Sequence, residues 1–216
     1  MKRILLSTVA ALGLITPAFA QVNFTPQPGI TAGYLAKNTY SSGFFGLVPV
    51  VTSGTDEVCI TGSASKIVRV QRITIYGTTT TAAQTLPIAL IKHNIANTGG
   101  TKGTTTANPG VVTQISSRDT GIVTNLSATA TLASYTVAPT TNDAAPTYVD
   151  VQLMNMPFPL TSTQAPGIVD FYFGRDVVNN IQPPTLRGIT QELCVNITSA
   201  ITNASVWSGS IVWTEE

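Results

Sequence analysis

The sequence predicts an all-β protein, a two-sheet β-sandwich that is jelly-roll-like and has an extended N-terminal arm. Segments rich in Val, Ile, Tyr and Thr, residues that suit a pleated surface, recur from Asp56 to the last residue. Turn-forming Gly, Pro and Asn separate these segments at short intervals, as in sandwiches and jelly rolls. After residue 20, no stretch of about 12 residues keeps the apolar spacing of an amphipathic helix with a clear cap. The three observations together favour stacked antiparallel sheets.

About nine or ten short strands are expected. The predicted segments are 56–61, 66–76, 86–91, 111–115, 128–137, 148–154, 167–173, 192–198 and 206–213, preceded by a weak candidate at 47–51. Val68 and Val70 point to one face of segment 66–76. Ile73 and Ile75 are in the opposite phase, so a β-bulge near Gln71–Arg72 is predicted. Apolar residues on both faces of segment 86–91 predict a strand covered on both sides, and the two tryptophans of the last segment are predicted to lie in the core.

The first 20 residues have the pattern of a secretory signal peptide. Lys2 and Arg3 give a positive start, residues 4–15 are almost wholly apolar, and 18–20 (AFA) offers small residues at the cleavage positions. The apolar run is short for a bilayer span, which needs roughly 20 residues. We therefore expect export to the extracellular space or to a cell or virion surface, with the periplasm as an alternative. No membrane span is expected after cleavage.

Residues 21–55 are predicted to form the arm, because they are rich in Pro and Gly and hold only one weak strand candidate. Residues 56–216 are predicted to form a single sandwich domain that is large enough to bury a real core. The chain has 11 basic and 10 acidic residues, so it offers no electrostatic surface for nucleic acid. A nearly neutral surface resists self-association weakly, which suits a subunit of an assembly.

The two cysteines, Cys59 and Cys194, are predicted to form an intrachain disulfide, since export places them in an oxidising compartment. In the predicted strands each faces away from the main apolar side, so a bridge between neighbouring strands near a surface is expected. It would close a loop of about 135 residues, worth up to roughly 5 kcal/mol. Two free thiols and a bond between subunits are the alternatives.

No catalytic, cofactor or metal site is recognisable. The single histidine, His93, is interpreted as a strand-end residue, since a histidine metal site usually needs a second such ligand and no G-x-S-x-G elbow is present. A hydrolase would need the carboxyl groups of Asp150 and Asp170 to meet across one cleft, and nothing in their spacing demands it. Arg187, before a turn glycine, is expected to have a structural role. The chain is therefore predicted to bind no cofactor and not to be an enzyme.

Several short segments occur in a fixed order along the chain: ITGSASK (60–66), VRV (68–70), LIK (90–92), ANTGGT (96–101), ATA (128–130), YTVAPT (135–140), LRG (186–188), LCVN (193–196) and WTEE (213–216). Taken in this order, they resemble a family of small β-rich proteins encoded among tailed-bacteriophage structural genes and in metagenomes. The resemblance covers about residues 56–216. It implies a virion-associated or surface-exposed structural protein, with no catalytic residues to carry over. The signal peptide departs from this pattern, because phage virion parts normally assemble in the cytoplasm, and the arm has no counterpart.

The leading hypothesis is a non-enzymatic structural subunit of a virion or extracellular surface assembly. Its partners would be copies of itself or other subunits, and the arm would add a strand to a neighbour's sheet. The alternative is a secreted glycan-binding module or adhesin. Its candidate sugar-stacking residues are Tyr34, Tyr40, Phe44 and Phe45 in the arm, and Tyr148 and Tyr172 in the sandwich.

Overall fold

The computed structural model describes residues 38–102, 113–114, 128–158, 164–173 and 182–216, which contain twelve β-strands. These strands form two six-stranded antiparallel sheets, and the described ranges hold no helix, hence none that could cross a membrane. The predicted all-β, two-sheet sandwich is confirmed. The predicted signal peptide 1–20 and the first part of the predicted arm, 21–37, lie outside the described residues.

The strands are numbered in chain order. Sheet 1 contains β1 (Asn38–Leu47), β3 (Ile67–Thr79), β6 (Thr113–Gln114), β9 (Gly167–Tyr172), β10 (Thr185–Arg187) and β12 (Ser205–Glu215). Its order is β6-β1-β12-β3, and β9 and β10 pair with successive parts of the far edge of β3. Sheet 2 contains β2 (Thr55–Thr61), β4 (Gln84–His93), β5 (Thr101–Lys102), β7 (Thr131–Val137), β8 (Thr147–Met156) and β11 (Glu192–Ile197). Its order is β5-β7-β2-β11-β4-β8.

The strand pairing is that of one long antiparallel ribbon. β1 pairs with β12, β2 with β11, β3 with β9 and β10, and β4 with β8. The ribbon is wound on itself, so that β12 also pairs with β3 and β11 with β4. The strands β1 to β4 therefore alternate between the two sheets, and the first and last strands are neighbours inside sheet 1.

Large apolar side chains fill the space between the sheets. Trp207, Ile211 and Trp213 point inward from β12 and are fully buried, which confirms the predicted core position. Tyr40 of β1 stacks on Trp213, with ring centroids 5.7 Å apart. Full burial of one such side chain contributes about 1.5–3 kcal/mol, so β1 and β12 are central to the stability of the sandwich.

A β-bulge sets the inward face of β3. Val70 pairs with Trp213 and Arg72 with Val212, which leaves Gln71 as an extra residue on β3. This confirms the bulge predicted near Gln71–Arg72. Because the extra residue shifts the alternation by one position, the valines before it and the isoleucines after it are all buried. The residues of β4 from 88 to 91 are also buried, as predicted for a strand covered on both faces.

The prediction of an N-terminal arm is wrong for the residues that form β1. Residues 21–55 were predicted to lie outside the core, yet Asn38–Leu47 form a strand paired with β12, and Tyr40, Phe44 and Leu47 are buried. The Ser and Gly residues at 41–43 interrupt the alternating apolar pattern. The side chains of β1 are buried because this strand pairs with β12, which lies far along the chain. β5 and β10 were not predicted either, since strands of two or three residues leave no periodic signal.

Candidate functional site

A cluster of buried polar side chains lies on the outer face of sheet 2, beside the disulfide. It consists of Asp56 on β2, His93 at the end of β4, Asn97 in the loop that follows, and Glu192 and Asn196 on β11. All except the half-buried Asn97 are at least nine-tenths buried. We refer to these residues as the Asp56 cluster.

A second β-bulge places Asp56 on this face. The register between β2 and β11 shifts at Asn196, which leaves Glu57 as an extra residue on β2. Regular alternation would put Asp56 and Cys59 on opposite faces of the sheet. With the bulge, both lie near the side-chain nitrogen of Asn97, at 2.7 Å from Asp56 Oδ2 and 4.0 Å from Cys59 Sγ.

Asp56 is the centre of the cluster. Its Oδ1 accepts a hydrogen bond from Asn196 Nδ2 at 2.7 Å, and its Oδ2 accepts one from Asn97 Nδ2 at 2.7 Å. His93 Nε2 lies 3.0 Å from the same Oδ2, but the geometry of this contact is not that of a hydrogen bond. Glu192 Oε1 accepts a hydrogen bond from the backbone N–H of Asn97 at 2.7 Å. The loop after β4 is thus attached to both β2 and β11.

Burial and charge shift the pKa values in this region. Burial by itself lowers the pKa of His93, but the neighbouring carboxylates, Asp56 above all, outweigh it and raise that pKa. Burial raises the pKa of Glu192, in spite of the hydrogen bond from Asn97. Burial, and then the charges of Glu192 and Asp56, raise the pKa of Tyr135 on β7 to about 12. Burial and the interactions among these charged groups therefore set the pKa values of the cluster.

The predicted disulfide between Cys59 and Cys194 is confirmed. The two residues face each other across β2 and β11, on the side away from the main core. They are nevertheless fully buried, because Ala133 and Tyr135 of β7 pack against them in a second small apolar cluster. The bridge therefore lies beneath a covering layer and not at the surface.

The two aspartates of the hydrolase hypothesis lie on β8 and β9, on either side of Gln152. Gln152 Nε2 donates to Asp150 Oδ2 at 3.0 Å and to the backbone oxygen of Asp170 at 3.2 Å. Arg72 holds the Asp170 carboxylate through two bonds, at 2.7 and 2.8 Å. The structure brings Asp150 and Asp170 into one region, with Asp170 engaged in an ion pair.

Two further residues can be placed. His93 ends β4, as interpreted from the sequence, but its burial against Asp56 was not foreseen. Arg187 ends β10 with an exposed side chain, for which the described residues provide no hydrogen bond or ion pair. Its backbone N–H donates to Gln191 Oε1 at 2.8 Å, so Arg187 contacts the turn after β10 through its main chain and not through its guanidinium.

The candidate sugar-stacking aromatics divide into buried and exposed sets. Tyr40 and Phe44 belong to the core, so their predicted role in sugar contact is wrong. Tyr34 lies outside the described residues. The exposed members are Phe45, Tyr148 and Tyr172.

Tyr172 borders a groove of about 470 Å³ on the outer face of sheet 1. The guanidinium of Arg72 lies 5.5 Å from the centroid of the Tyr172 ring. Thr39, Gln71 and Thr214 supply polar groups along the groove. An aromatic face beside several hydrogen-bonding groups is the combination that a small polar ligand requires.

Sequence reasoning did not foresee the Asp56 cluster. Its only signal was a pair of acidic residues, Asp56 and Glu192, near the starts of two predicted strands. Nothing in the sequence indicated that β2, β11 and β4 are neighbours, or that a bulge would turn Asp56 towards His93.

Comparison with known proteins gives no match to a protein-family model, to a curated protein or to a solved structure. The function is therefore argued from the geometry of the chain.

Proposed function

We propose that this protein is a non-enzymatic structural subunit of a virion or extracellular surface assembly, built on a jelly roll. The observation that carries the proposal is the wound ribbon, in which β1-β12-β3-β9 form one sheet and β2-β11-β4-β8 the other. Eight antiparallel strands in this order support a jelly roll, the architecture that viral capsid and lectin domains use. The resemblance to phage structural-region proteins points in the same direction.

The state of the acid–base groups supports a non-catalytic role. Asp56 and His93 are both about 1% exposed, so the pair has little access to a substrate. The carboxylate of Asp170 is engaged by Arg72. A general acid or base must come within hydrogen-bond reach of the proton that it transfers, and these groups are committed to contacts inside the protein.

Exposed apolar side chains at one corner of the sandwich support assembly. Tyr148, Val151 and Leu153 project from β8 and are 60, 51 and 67% exposed, and Ile168 on the neighbouring β9 is 55% exposed. Apolar side chains grouped in this way are typical of protein interaction surfaces. The buried disulfide is consistent with an oxidising, extracellular setting.

Sedimentation velocity and electron microscopy of the exported protein test the proposal. We expect species larger than a monomer, and we expect Leu153→Lys to shift them towards the monomer because the charge disrupts an apolar contact. Ile189→Lys is the matched control, since Ile189 is similarly exposed, at 62%, but lies in the turn after β10. A strict monomer at high concentration, with the segment before β1 intact, would count against a structural subunit.

A second candidate function is glycan binding in the groove beside Tyr172. Its support is the exposed Tyr172 ring next to Arg72, Gln71 and Thr214, because tyrosine offers an apolar face to a sugar and the other side chains can bind hydroxyl groups. A glycan array should show binding that Tyr172→Ala abolishes and Tyr148→Ala, on the other sheet, leaves unchanged. No binding, or binding that both variants retain, would discard this candidate.

A further inference from the structure

The disulfide and the Asp56 cluster together contain the donor atoms of a metal site. The ligand atoms of Asp56, His93 and Cys194 all lie within 4.8 Å of one another, and the same is true of Cys59, Glu192 and Cys194. All of these residues are buried. Sulfur, imidazole nitrogen and carboxylate oxygen are the ligands of tetrahedral zinc in proteins.

We propose that reduction of the Cys59–Cys194 disulfide turns this region into a binding site for a zinc-type divalent cation. The ligands are Cys194 Sγ, His93 and the carboxylate of Asp56, which already lie within 4.8 Å of one another, joined by the sulfur of Cys59 once the S–S bond is broken. A dithiol or phosphine reductant supplies two electrons, and with two protons the S–S bond becomes two thiols. The cation then displaces the thiol protons and binds the thiolates. Disulfide and metal are thus alternative states of one site.

The backbone already holds the ligands in suitable places. Cys59 and Cys194 face each other on adjacent strands, so breaking the S–S bond allows each sulfur to rotate about its own Cα–Cβ bond. Two sulfurs at Zn–S distances of about 2.3 Å in a tetrahedron lie about 3.8 Å apart. His93, at the end of β4, faces Glu192 across the β4–β11 ladder, which brings its imidazole to the same end of sheet 2.

The residues around the ligands orient them. Asn97 Nδ2 and Asn196 Nδ2 both donate to Asp56, which fixes the direction of its carboxylate. Asn97 Nδ2 also lies 4.0 and 3.9 Å from the two sulfurs, where an N–H donor favours the thiolate form. Neither ring nitrogen of His93 makes a hydrogen bond within the described chain. Amide donors of this kind are the outer partners that orient metal ligands.

Charge also favours a cation at this position. Asp56 and Glu192 are both buried, and His93 is the only basic side chain within the Asp56 cluster. Two thiolates would add further negative charge, which a dication would compensate. The presence of sulfur and imidazole favours a zinc-type ion over calcium or magnesium, which prefer oxygen ligands throughout.

Cobalt(II) is the probe for the test, because a tetrahedral site with thiolate ligands gives it strong visible absorption. The folded protein is reduced with a phosphine, and alkylation followed by mass spectrometry verifies both thiols. We expect one cobalt ion per reduced chain, displacement of cobalt by zinc, and no visible bands from the oxidised protein. If the buried disulfide resists reduction, the chain is unfolded, reduced and refolded with and without cobalt.

Variants assign the ligands. Cys194→Ser and His93→Gln should each weaken cobalt binding at least about tenfold, whereas the control Asp150→Asn, on β8, should not change it. Far-UV circular dichroism checks the fold of each variant. If one of the two ligand variants does not fold, the other still tests the proposal. A reduced, folded protein without cobalt bands, or bands that persist in both ligand variants, would overturn the proposal.

Discussion

At the scale of single residues, Glu215 joins segments that meet at one end of the sandwich. Its Oε1 accepts hydrogen bonds from the backbone N–H groups of Thr129 and Ala130, both at 2.9 Å, and from Trp213 Nε1 at 3.1 Å. Lys66 Nζ lies 3.1 Å from its Oε2. Burial by itself would raise the pKa of Glu215, but these donors outweigh it and lower that pKa. The ionised carboxylate is therefore part of the native fold.

We expect Glu215→Gln to lower the free energy of unfolding by about 1–3 kcal/mol at neutral pH, because an amide cannot satisfy all of these donors. The folded pKa lies below the unfolded value of 4.5. The contribution of Glu215 is therefore complete above that pH and is lost as the pH falls through the folded pKa. Urea unfolding should show a constant difference between the two proteins near neutral pH that shrinks below about pH 4.5. Glu216→Gln, at the exposed neighbour, is the control, and an equal loss in both variants would contradict the prediction.

Residue patterns explain why the cysteine pair could be predicted and the Asp56 cluster could not. The orientation of Cys59 and Cys194 follows from regular alternation with Val58 and Val195 on either side. Asp56 departs from that alternation because of one extra residue, and the bulge is stabilised by contacts with β11 that no local pattern encodes.

At the scale of elements, β8 and β9 close one corner of the sandwich between the two sheets. The side-chain amide of Gln152 acts there like a backbone peptide group. Its Nε2 donates to the backbone oxygen of Asp170 at 3.2 Å, and its Oε1 accepts from the Asp170 N–H at 3.4 Å. At the start of β9, Gly167 lies so close to β8 that a Cβ atom would be 2.1 Å from the carbonyl oxygen of Asn155. The corner therefore requires a residue without a side chain.

Gly167→Ala should destabilise the protein by at least about 2 kcal/mol, because the backbone of β8 or β9 must move to admit the methyl group. Gly43→Ala is the control: the nearest atom to its Cβ would be the carbonyl oxygen of Gly209 at 3.3 Å, so a smaller effect is expected. Urea unfolding of both variants measures the difference. Equal stability of the two would show that the corner opens at little cost.

The strands found by sequence patterning are those with strong internal alternation. β2, β3 and β12 carry Val, Ile or Trp at alternate positions and β4 is apolar on both faces, and the predicted bounds of these four strands are close to those observed. β1 was missed because its apolar residues Tyr40, Phe44 and Leu47 are spaced by Ser and Gly. Its place in sheet 1 depends on β12, which lies more than 150 residues later in the chain.

At the scale of the whole molecule, the disulfide links two residues that lie 135 positions apart in the sequence. Replacing both cysteines by alanine should lower stability by about 2–5 kcal/mol, since the unfolded chain regains the freedom of that loop. Thermal and urea unfolding in the presence of a chelator measures the loss, and the reduced natural protein should unfold like the double variant. A double variant as stable as the oxidised protein would contradict this expectation.

The wound ribbon also predicts slow folding. β1 pairs with β12 and β2 with β11, so the loops that must close to form these pairs contain most of the chain. All-β domains with such distant pairings fold in milliseconds to seconds rather than microseconds. Stopped-flow fluorescence of the buried Trp207 and Trp213 would follow the reaction, and a microsecond phase that accounts for the full change would contradict the prediction.

The class of fold followed from the sequence, whereas the arrangement of its strands did not. Alternation and turn residues identify strands and imply two faces. The choice of neighbour for each strand depends on long-range packing, as in the stacking of Tyr40 on Trp213. For the same reason, a site assembled from β2, β4 and β11 could not be predicted from any local sequence pattern.

Asn38, at the start of β1, pairs with Glu215, next to the last residue of the sequence. Residues 38 and 216 therefore lie at the same pole of the sandwich. A short linker between these two points would make a closed ring of the sandwich, which could be reopened at a surface turn to give a circular permutant. Tags or cargo placed at this pole would leave the opposite pole free to contact other molecules.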